Sequence, residues 1–366
     1  MSADGFGTTW SITVITFDGV SKAFPDGTIA VDNLNLELPT GKITVFVGPS
    51  GCGKTTSLRM INRMVEPTGG RILIDGDDVT TQDAALLRRS IGYVIQHAGL
   101  FPHRTVVENV MTVPNLIGMD KKKSRNTAME LLARVGLAES MADKYPVQLS
   151  GGQEQRVGVA RALAADPPVM LMDEPFSAVD PIVRGGLQAE FLRLQGELGK
   201  TIAFVTHDID EAIKLGDMVA IFREGGHLAQ YAAPKELLEN PANEFVADFV
   251  GRDRGFRSLS FDTAASLVLE PVDSVRGGDT ILVTDGEGHP IGWVGPGIAP
   301  ENRPAAVAGT FTVDDSLRLV TDLAISSPVG IALRVDASGA VDGILRHHSL
   351  VSQLDNRRRD RVEAAS

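Results

Sequence analysis

What is scarce in this sequence narrows its range first. A single cysteine, Cys52, among 366 residues leaves no partner for an internal disulfide, which suits a reducing compartment. No run approaches the roughly 18–20 uninterrupted apolar residues that cross a bilayer as a helix. Residues 1–16 lack the basic and apolar segments of a secretory leader. The expectation is a chain on the cytoplasmic side of the cell that does any membrane work through partners. Basic residues number 35 against 47 acidic ones, a formal net charge of -12, so a broad nucleic-acid-gripping face is excluded. Lysine is missing from the last third: all ten lie at or before Lys235, and every later basic residue is arginine or histidine. That change of composition places a hinge near 251–254.

What is present is ordinary in bulk, 43% hydrophobic and 22% charged, in a length that predicts two or three domains. Residues 1–14 read as a loose extension. Alternating apolar and polar residues at 15–20 and 34–38 predict half-buried strands. Three continuous apolar runs, 43–47, 169–172 and 201–205, predict strands buried on both faces. Helical stretches at 55–61 and about 181–198 lie between them, and this alternation predicts an α/β fold around a parallel sheet.

The first run leads into Gly48-Pro-Ser-Gly-Cys-Gly-Lys-Thr55, a complete phosphate-binding loop between a strand and a helix. Glycines let successive N–H groups turn toward phosphate oxygens, and the helix N-terminus adds partial positive charge. Lys54 is then placed for the β- and γ-phosphates of ATP and the Thr55 hydroxyl for Mg²⁺, so Gly48, Pro49, Ser50, Gly51, Cys52, Gly53, Lys54, Thr55 and Thr56 form a candidate ATP site. The second run ends in Asp173-Glu174, supplying a metal-holding carboxylate and a base for an attacking water. We expect the C-terminal end of this strand beside the phosphate loop. A second polar, glycine-rich helix start, Leu149-Ser-Gly-Gly-Gln153, precedes it. One chain does not need two such starts for one γ-phosphate. Two chains facing head to tail do.

With these motifs in this order, residues 17–250 resemble the ATPases of ABC transporters: a P-loop NTPase, ABC-type nucleotide-binding domain with a parallel core sheet and a helical subdomain at about 97–160. The resemblance makes Ser150, Gly151, Gly152 and Gln153 the signature that faces the other chain's ATP. It also implies that Gln96 senses Mg²⁺ and the membrane subunit, that Asp180 crosses a dimer interface, and that His207 contacts the γ-phosphate. Glu174, His207 and Gln96 are then the catalytic set, and Thr55, Gln96 and Asp173 the Mg²⁺ set. Phe24 occupies the place of the adenine-stacking aromatic, with a core phenylalanine as the plain alternative. Glu154 departs from the family's glutamine run; it either faces sideways or pairs with Arg156 or Arg161. Cys52 reads as a small filler, or else as an oxidisable group that blocks nucleotide.

One branch is closer: the ATPases of quaternary-amine and osmoprotectant importers (glycine betaine, choline, carnitine, proline). The likeness lies in Arg59-Met-Ile-Asn-Arg63, Glu66-Pro-Thr-Gly-Gly70, Ile91-Gly-Tyr-Val-Ile-Gln96, His97-Ala-Gly-Leu-Phe-Pro102, Asn240-Pro-Ala-Asn243 and Phe249-Val-Gly-Arg252. It implies a homodimer of ATPase subunits at the inner face of the membrane, working with permease subunits and, indirectly, a substrate-binding protein. The ATPase domain then spans 15–252. In that branch the tail is a pair of cystathionine-β-synthase-type (CBS) modules. Here 285–294 and 336–345 form two similar Asp-turn units, which predicts an α+β, degenerate tandem CBS-like domain at 255–353 and a tail at 354–366. Whether it binds nucleotide, senses charge or dimerises stays open, as does whether 357–361 touches anionic lipid or is simply solvated. A soluble ABC ATPase of repair or translation and a non-hydrolysing nucleotide sensor are the rival readings. The chain lacks the long insertions or second ATPase unit of the first, and Glu174 with His207 opposes the second.

Overall fold

The computed structural model describes residues 14–96, 99–177, 179–275 and 280–364. It divides into two compact units, Met1–Val250 and Gly251–Ser366. The predicted extension at 1–14 lies outside the described residues except Val14, whose N–H donates to Asp75 Oδ1 at 3.0 Å. His97 and Ala98 at the predicted start of the helical subdomain, and Ala178, also lie outside them.

The first unit holds two sheets. β1 (Ile15–Ala23), β2 (Ile29–Leu38), β4 (Gly69–Ile74) and β5 (Asp77–Asp78) form an antiparallel sheet in the order β2-β1-β4-β5. β3 (Ile43–Val47), β6 (Ile91–Val94), β7 (Val169–Asp173), β8 (Thr201–Val205) and β9 (Met218–Arg223) lie parallel, and β10 (His227–Ala232) pairs antiparallel with β9, in the order β10-β9-β3-β8-β7-β6. Every residue of β3, β7 and β8 is buried. Their two-residue period sends alternate side chains into different cores. Val45, Val47, Met170, Met172, Ile202 and Phe204 enter one core, shared with the helices. Phe46, Val169, Leu171, Ala203 and Val205 enter the other, shared with the antiparallel sheet. Each of these side chains larger than alanine contributes roughly 1.5–3 kcal/mol of burial.

Ten α-helices complete the unit among the described residues. α1 (Lys54–Ile61) and α2 (Ala84–Ser90) precede a helical layer of α3 (Val106–Val110), α4 (Thr112–Leu116), α5 (Lys121–Arg134) and α6 (Gly151–Leu163). α7 (Pro181–Leu198), α8 (Ile209–Leu215), α9 (Pro234–Glu239) and α10 (Glu244–Val250) follow. Asp180 caps α7, its Oδ1 accepting from Ile182 N–H at 2.8 Å, and Pro181 supplies a preset first turn.

In the second unit, β11 (Ile281–Thr284) and β12 (Pro290–Val294) form one hairpin, while β13 (Thr310–Phe311), β14 (Ile331–Val335) and β15 (Val341–Arg346) form a sheet containing another. Each hairpin turns on an aspartate whose Oδ1 accepts two backbone N–H groups. Asp285 takes those of Glu287 and His289, and Asp336 those of Ser338 and Ala340. Both ladders also carry an irregularity in the step to the strand's last residue before the turn, at Thr284 and at Val335. Buried Trp293 and Leu282 share a core with Ile331, Leu333 and Ile344. α11 (Arg254–Ser258) and α12 (Leu317–Ser326) precede α13 (His347–Ala364). Residues 354–364 of the expected tail lie in α13. Buried Leu350, Leu354 packed on the core and Gln353 bonding Val268 hold that helix down.

Candidate functional site

The phosphate loop leaves β3 and enters α1 through backbone that only glycine tolerates. Gly53 has φ +92°, and a Cβ there would stand 2.1 Å from the Ala30 carbonyl oxygen. Cys52 is fully buried in the same core as Phe46, and burial pushes its thiol pKa up, partly offset by Lys54. Lys54 is only 6% exposed, yet its Nζ donates to nothing stronger than the Gly48 and Pro49 carbonyls, each at 2.8 Å, with the Cys52 sulfur at 3.7 Å. It forms no ion pair with any described residue. A buried ammonium held only by carbonyl dipoles lacks its counter-charge, and a phosphate of ATP fits that need.

Asp173 ends β7, buried, and accepts the Thr55 hydroxyl proton at 2.9 Å and an Arg59 N–H at 3.3 Å. The end of this strand lies beside the phosphate loop, as expected, although β8 separates β3 from β7 in the sheet. Contact is made by α1, which packs on β8 and β7 and carries Thr55 to the carboxylate. Arg59 enters the sequence reading only through the family likeness. It stands four residues after Thr55 and so on the same helix face, a spacing that reveals it. A buried carboxylate with a hydroxyl beside it is a hard-oxygen donor set of the kind Mg²⁺ takes.

Glu174 follows in the left-handed region at φ +47°, a conformation that costs about 1–3 kcal/mol in a non-glycine residue and often marks a working site. Its N–H donates to the Val205 carbonyl at 3.0 Å, and its Oε2 lies 3.1 Å from His207 Nδ1 and 3.5 Å from Gln96 Nε2. Gln96 also reaches the Ser177 hydroxyl at 3.4 Å. Thus Gln96, Glu174 and His207 converge, and the hydrogen bonds of Gln96 run to Glu174 and Ser177 rather than to Thr55 or Asp173.

Ser150 caps α6 in a closed box: its Oγ accepts from Gln153 N–H at 3.4 Å and its own N–H donates to Gln153 Oε1 at 2.9 Å. Gly151 and Gly152 open the helix, with Gly151 exposed and Gly152 half-buried. No hydrogen bond among the described residues joins this turn to the phosphate loop. Arg156 is not the partner of Glu154: it bonds Glu190 Oε2 at 2.7 Å and the Val135 carbonyl at 2.6 Å. Arg161 donates to the Gly99 carbonyl. Phe24 is 38% exposed with Lys22 Nζ 5.3 Å over its ring, so it is a surface platform and not a core residue. Pro49, Ser50, Gly51 and Thr56 lie where the loop and first turn put them, half-buried to exposed.

Comparison with known proteins places this geometry. Residues 31–177 match the family model described as ABC transporter. The osmoprotectant import ATP-binding protein of Salmonella typhimurium is 43% identical over 358 residues, covering 91% of this chain and 93% of the relative. The glycine betaine/carnitine/choline transport ATP-binding protein of Bacillus subtilis is 45% identical, covering 80% and 81%. The carnitine transport ATP-binding protein of Listeria monocytogenes is 53% identical, covering 66% and 60%. Among solved structures, a dimeric ATP-binding cassette in a post-hydrolysis state, bound to ADP and Pi, aligns with a TM-score of 0.55 at 33% identity, over 60% of this chain and 98% of that one. A phosphate loop after β3, a capped glycine turn opening α6, an acidic pair at the end of β7 and a histidine after β8 stand in the order that the family's motifs require, and the chain belongs to the ABC transporter family, among its ATP-binding subunits.

Proposed function

We propose that this chain hydrolyses ATP to power an importer of compatible solutes of the glycine betaine, choline, carnitine and proline class. The observation that carries the reading is the buried Lys54 ammonium without a counter-charge, set beside the Thr55–Asp173 pair and the Glu174–His207 contact. Lys54 and the loop N–H groups hold the β- and γ-phosphates, and Phe24 stacks on the adenine. Thr55 and Asp173 hold Mg²⁺, with Gln96 completing the set as the site closes; the ion, when bound, neutralises charge on the transferred phosphoryl group. Glu174 orients and deprotonates the attacking water, and His207 steadies both Glu174 and the γ-phosphate.

Two copies work head to tail, each offering Ser150, Gly151, Gly152 and Gln153 to the other's nucleotide, with Asp180 at the seam. The permease docks near Phe101, whose exposed ring carries Arg104 at 4.9 Å and borders an open groove of about 320 Å³. Fully buried Asn109 shapes this loop by donating to the Phe101, Arg104 and Thr105 carbonyls. No helix among the described residues is long and apolar enough to cross a membrane. We place the subunit peripherally on the inner face, with an ATPase domain at 15–252, its helical subdomain at about 97–160, and a degenerate tandem CBS-like domain at 255–353. Cells lacking this chain should lose uptake of labelled betaine, choline or proline, regain it with the wild type and not with Lys54→Ala. Full uptake with Lys54→Ala would refute the proposal.

A further inference from the structure

Beneath the His207 loop lies a buried polar group that the reaction as described does not use. Glu211, in the first turn of α8, is 7% exposed, and its Oε1 accepts from Gln188 Nε2 at 3.0 Å. Gln188, 6% exposed, belongs to α7, and its Oε1 accepts from Lys214 Nζ at 2.9 Å. Thr206 is the second hydrogen-bonding side chain on the Glu211 carboxyl. The same Thr206 hydroxyl accepts the Asp208 N–H at 3.1 Å, and Asp208 Oδ1 accepts the Asp210 and Glu211 N–H groups. Asp208 is thereby fastened to Thr206 and to the backbone of the turn that carries Glu211, so both neighbours of His207 are tied to the Glu211 turn. A small cavity of about 40 Å³ between this network and the reacting groups is lined by Glu174, Ser177, Arg184, Thr206, His207 and Glu211.

Burying an acidic side chain is costly unless it is fully hydrogen-bonded, and replacing buried ionic groups by well-packed apolar ones is often neutral or stabilising in proteins. Burial raises the Glu211 pKa, opposed by Thr206 and Gln188. The arrangement ties two elements that have separate tasks. α7 is capped by Asp180, the residue assigned to the dimer seam, and α8 follows His207. Nothing else described here links the buried faces of these helices through a carboxyl group.

We infer that Glu211 is a positioning residue of the hydrolytic site: through Gln188 and Thr206 it locks the His207 loop to α7, so that the ring meets Glu174 only when α7 is in place. The inference rests on the roles proposed above for Glu174 and His207. A ring misplaced by even 1 Å costs about 100-fold in rate when geometry limits the step.

The test uses the full chain and four variants in steady-state ATP hydrolysis, with thermal unfolding recorded for each. Glu211→Ala should lower kcat at least 10-fold with KM for ATP within 3-fold. Glu211→Gln, which still accepts from Gln188 and donates to Thr206, should restore kcat to within 3-fold of wild type. Gln188→Leu should match the Glu211→Ala loss, and the double variant should be no slower than either single one, as groups in one network are non-additive. The inference is overturned if Glu211→Ala keeps kcat within 2-fold, if Gln rescues no better than Ala, or if the two losses multiply. Glu174→Gln and His207→Ala run alongside as controls. If they too keep wild-type turnover, the site assignment itself has failed; if they collapse while Glu211→Ala does not, only this inference has.

Discussion

Asp173 allows stability and function to be separated by one atom. Replacing it with asparagine keeps the shape and an acceptor for the Thr55 hydroxyl but removes the charge. The carboxylate is buried, with one hydroxyl at 2.9 Å and one guanidinium nitrogen at 3.3 Å. At that separation the Asp173–Arg59 attraction is roughly 5 kcal/mol at an effective dielectric of 20 and roughly 1 kcal/mol in bulk water. Arg59 is 46% exposed, so the value lies toward the lower figure. Burying the carboxylate costs several kcal/mol in the other direction. The two nearly cancel, and Asp173→Asn should shift unfolding without nucleotide by at most about 1.5 kcal/mol, or roughly 3–6 °C for a domain of this size. ATP with Mg²⁺ at 100 times Kd should stabilise the wild type by about 2.7 kcal/mol, and Asn should abolish the Mg²⁺-dependent part of that gain. Thermal scans of both proteins, with EDTA and with ATP–Mg²⁺, give all four values. A loss above 3 kcal/mol in EDTA, or an unchanged Mg²⁺ effect, would refute the view that this carboxylate is kept for the metal at no structural gain.

Phe24→Ala should raise KM for ATP about 5- to 30-fold, the equivalent of about 1–2 kcal/mol of base stacking, with kcat little changed; steady-state kinetics checks it. In the second unit His289 joins the two hairpin turns, with Nδ1 2.9 Å from Asp285 Oδ2 and Nε2 2.9 Å from the Ser338 carbonyl. Two acceptors favour the doubly protonated ring, and the Ser338 carbonyl and Asp285 hold its pKa above the ordinary value. The stability it brings is complete below the unfolded pKa of about 6.5 and is lost as pH rises through the higher folded pKa. Unfolding temperature against pH should therefore fall less between pH 6 and 8 in His289→Gln than in wild type. Cys52, buried and with a raised pKa, should resist iodoacetamide at pH 8 in the folded chain and react at once in urea; fast labelling of the native protein would contradict the filler reading.

Sequence made the central sheet legible because strands buried on both faces leave continuous apolar runs, as at 43–47 and 201–205. The phosphate loop was legible because its glycines answer to backbone geometry and not to context. β2 starts at Ile29, five residues before the visible alternation, because register shifts opposite Val20 and Lys22 break the two-residue period. α13 was missed beyond 354 because Asp355 and Arg357 are polar, and a few inward contacts suffice to hold it. The Glu211–Gln188 pair was hidden for a different reason. Two polar residues inside helices read as surface, and only tertiary packing turns them toward each other.

The composite site is the claim on which the functional account turns, and the size of the Glu174→Gln protein measures it most directly. Light scattering at millimolar ATP should give a particle of twice the chain mass, returning to monomer when Ser150 is also replaced by arginine to block the facing turn. A Glu174→Gln chain that binds ATP yet stays monomeric, or one whose dimer ignores the change at Ser150, would contradict the account.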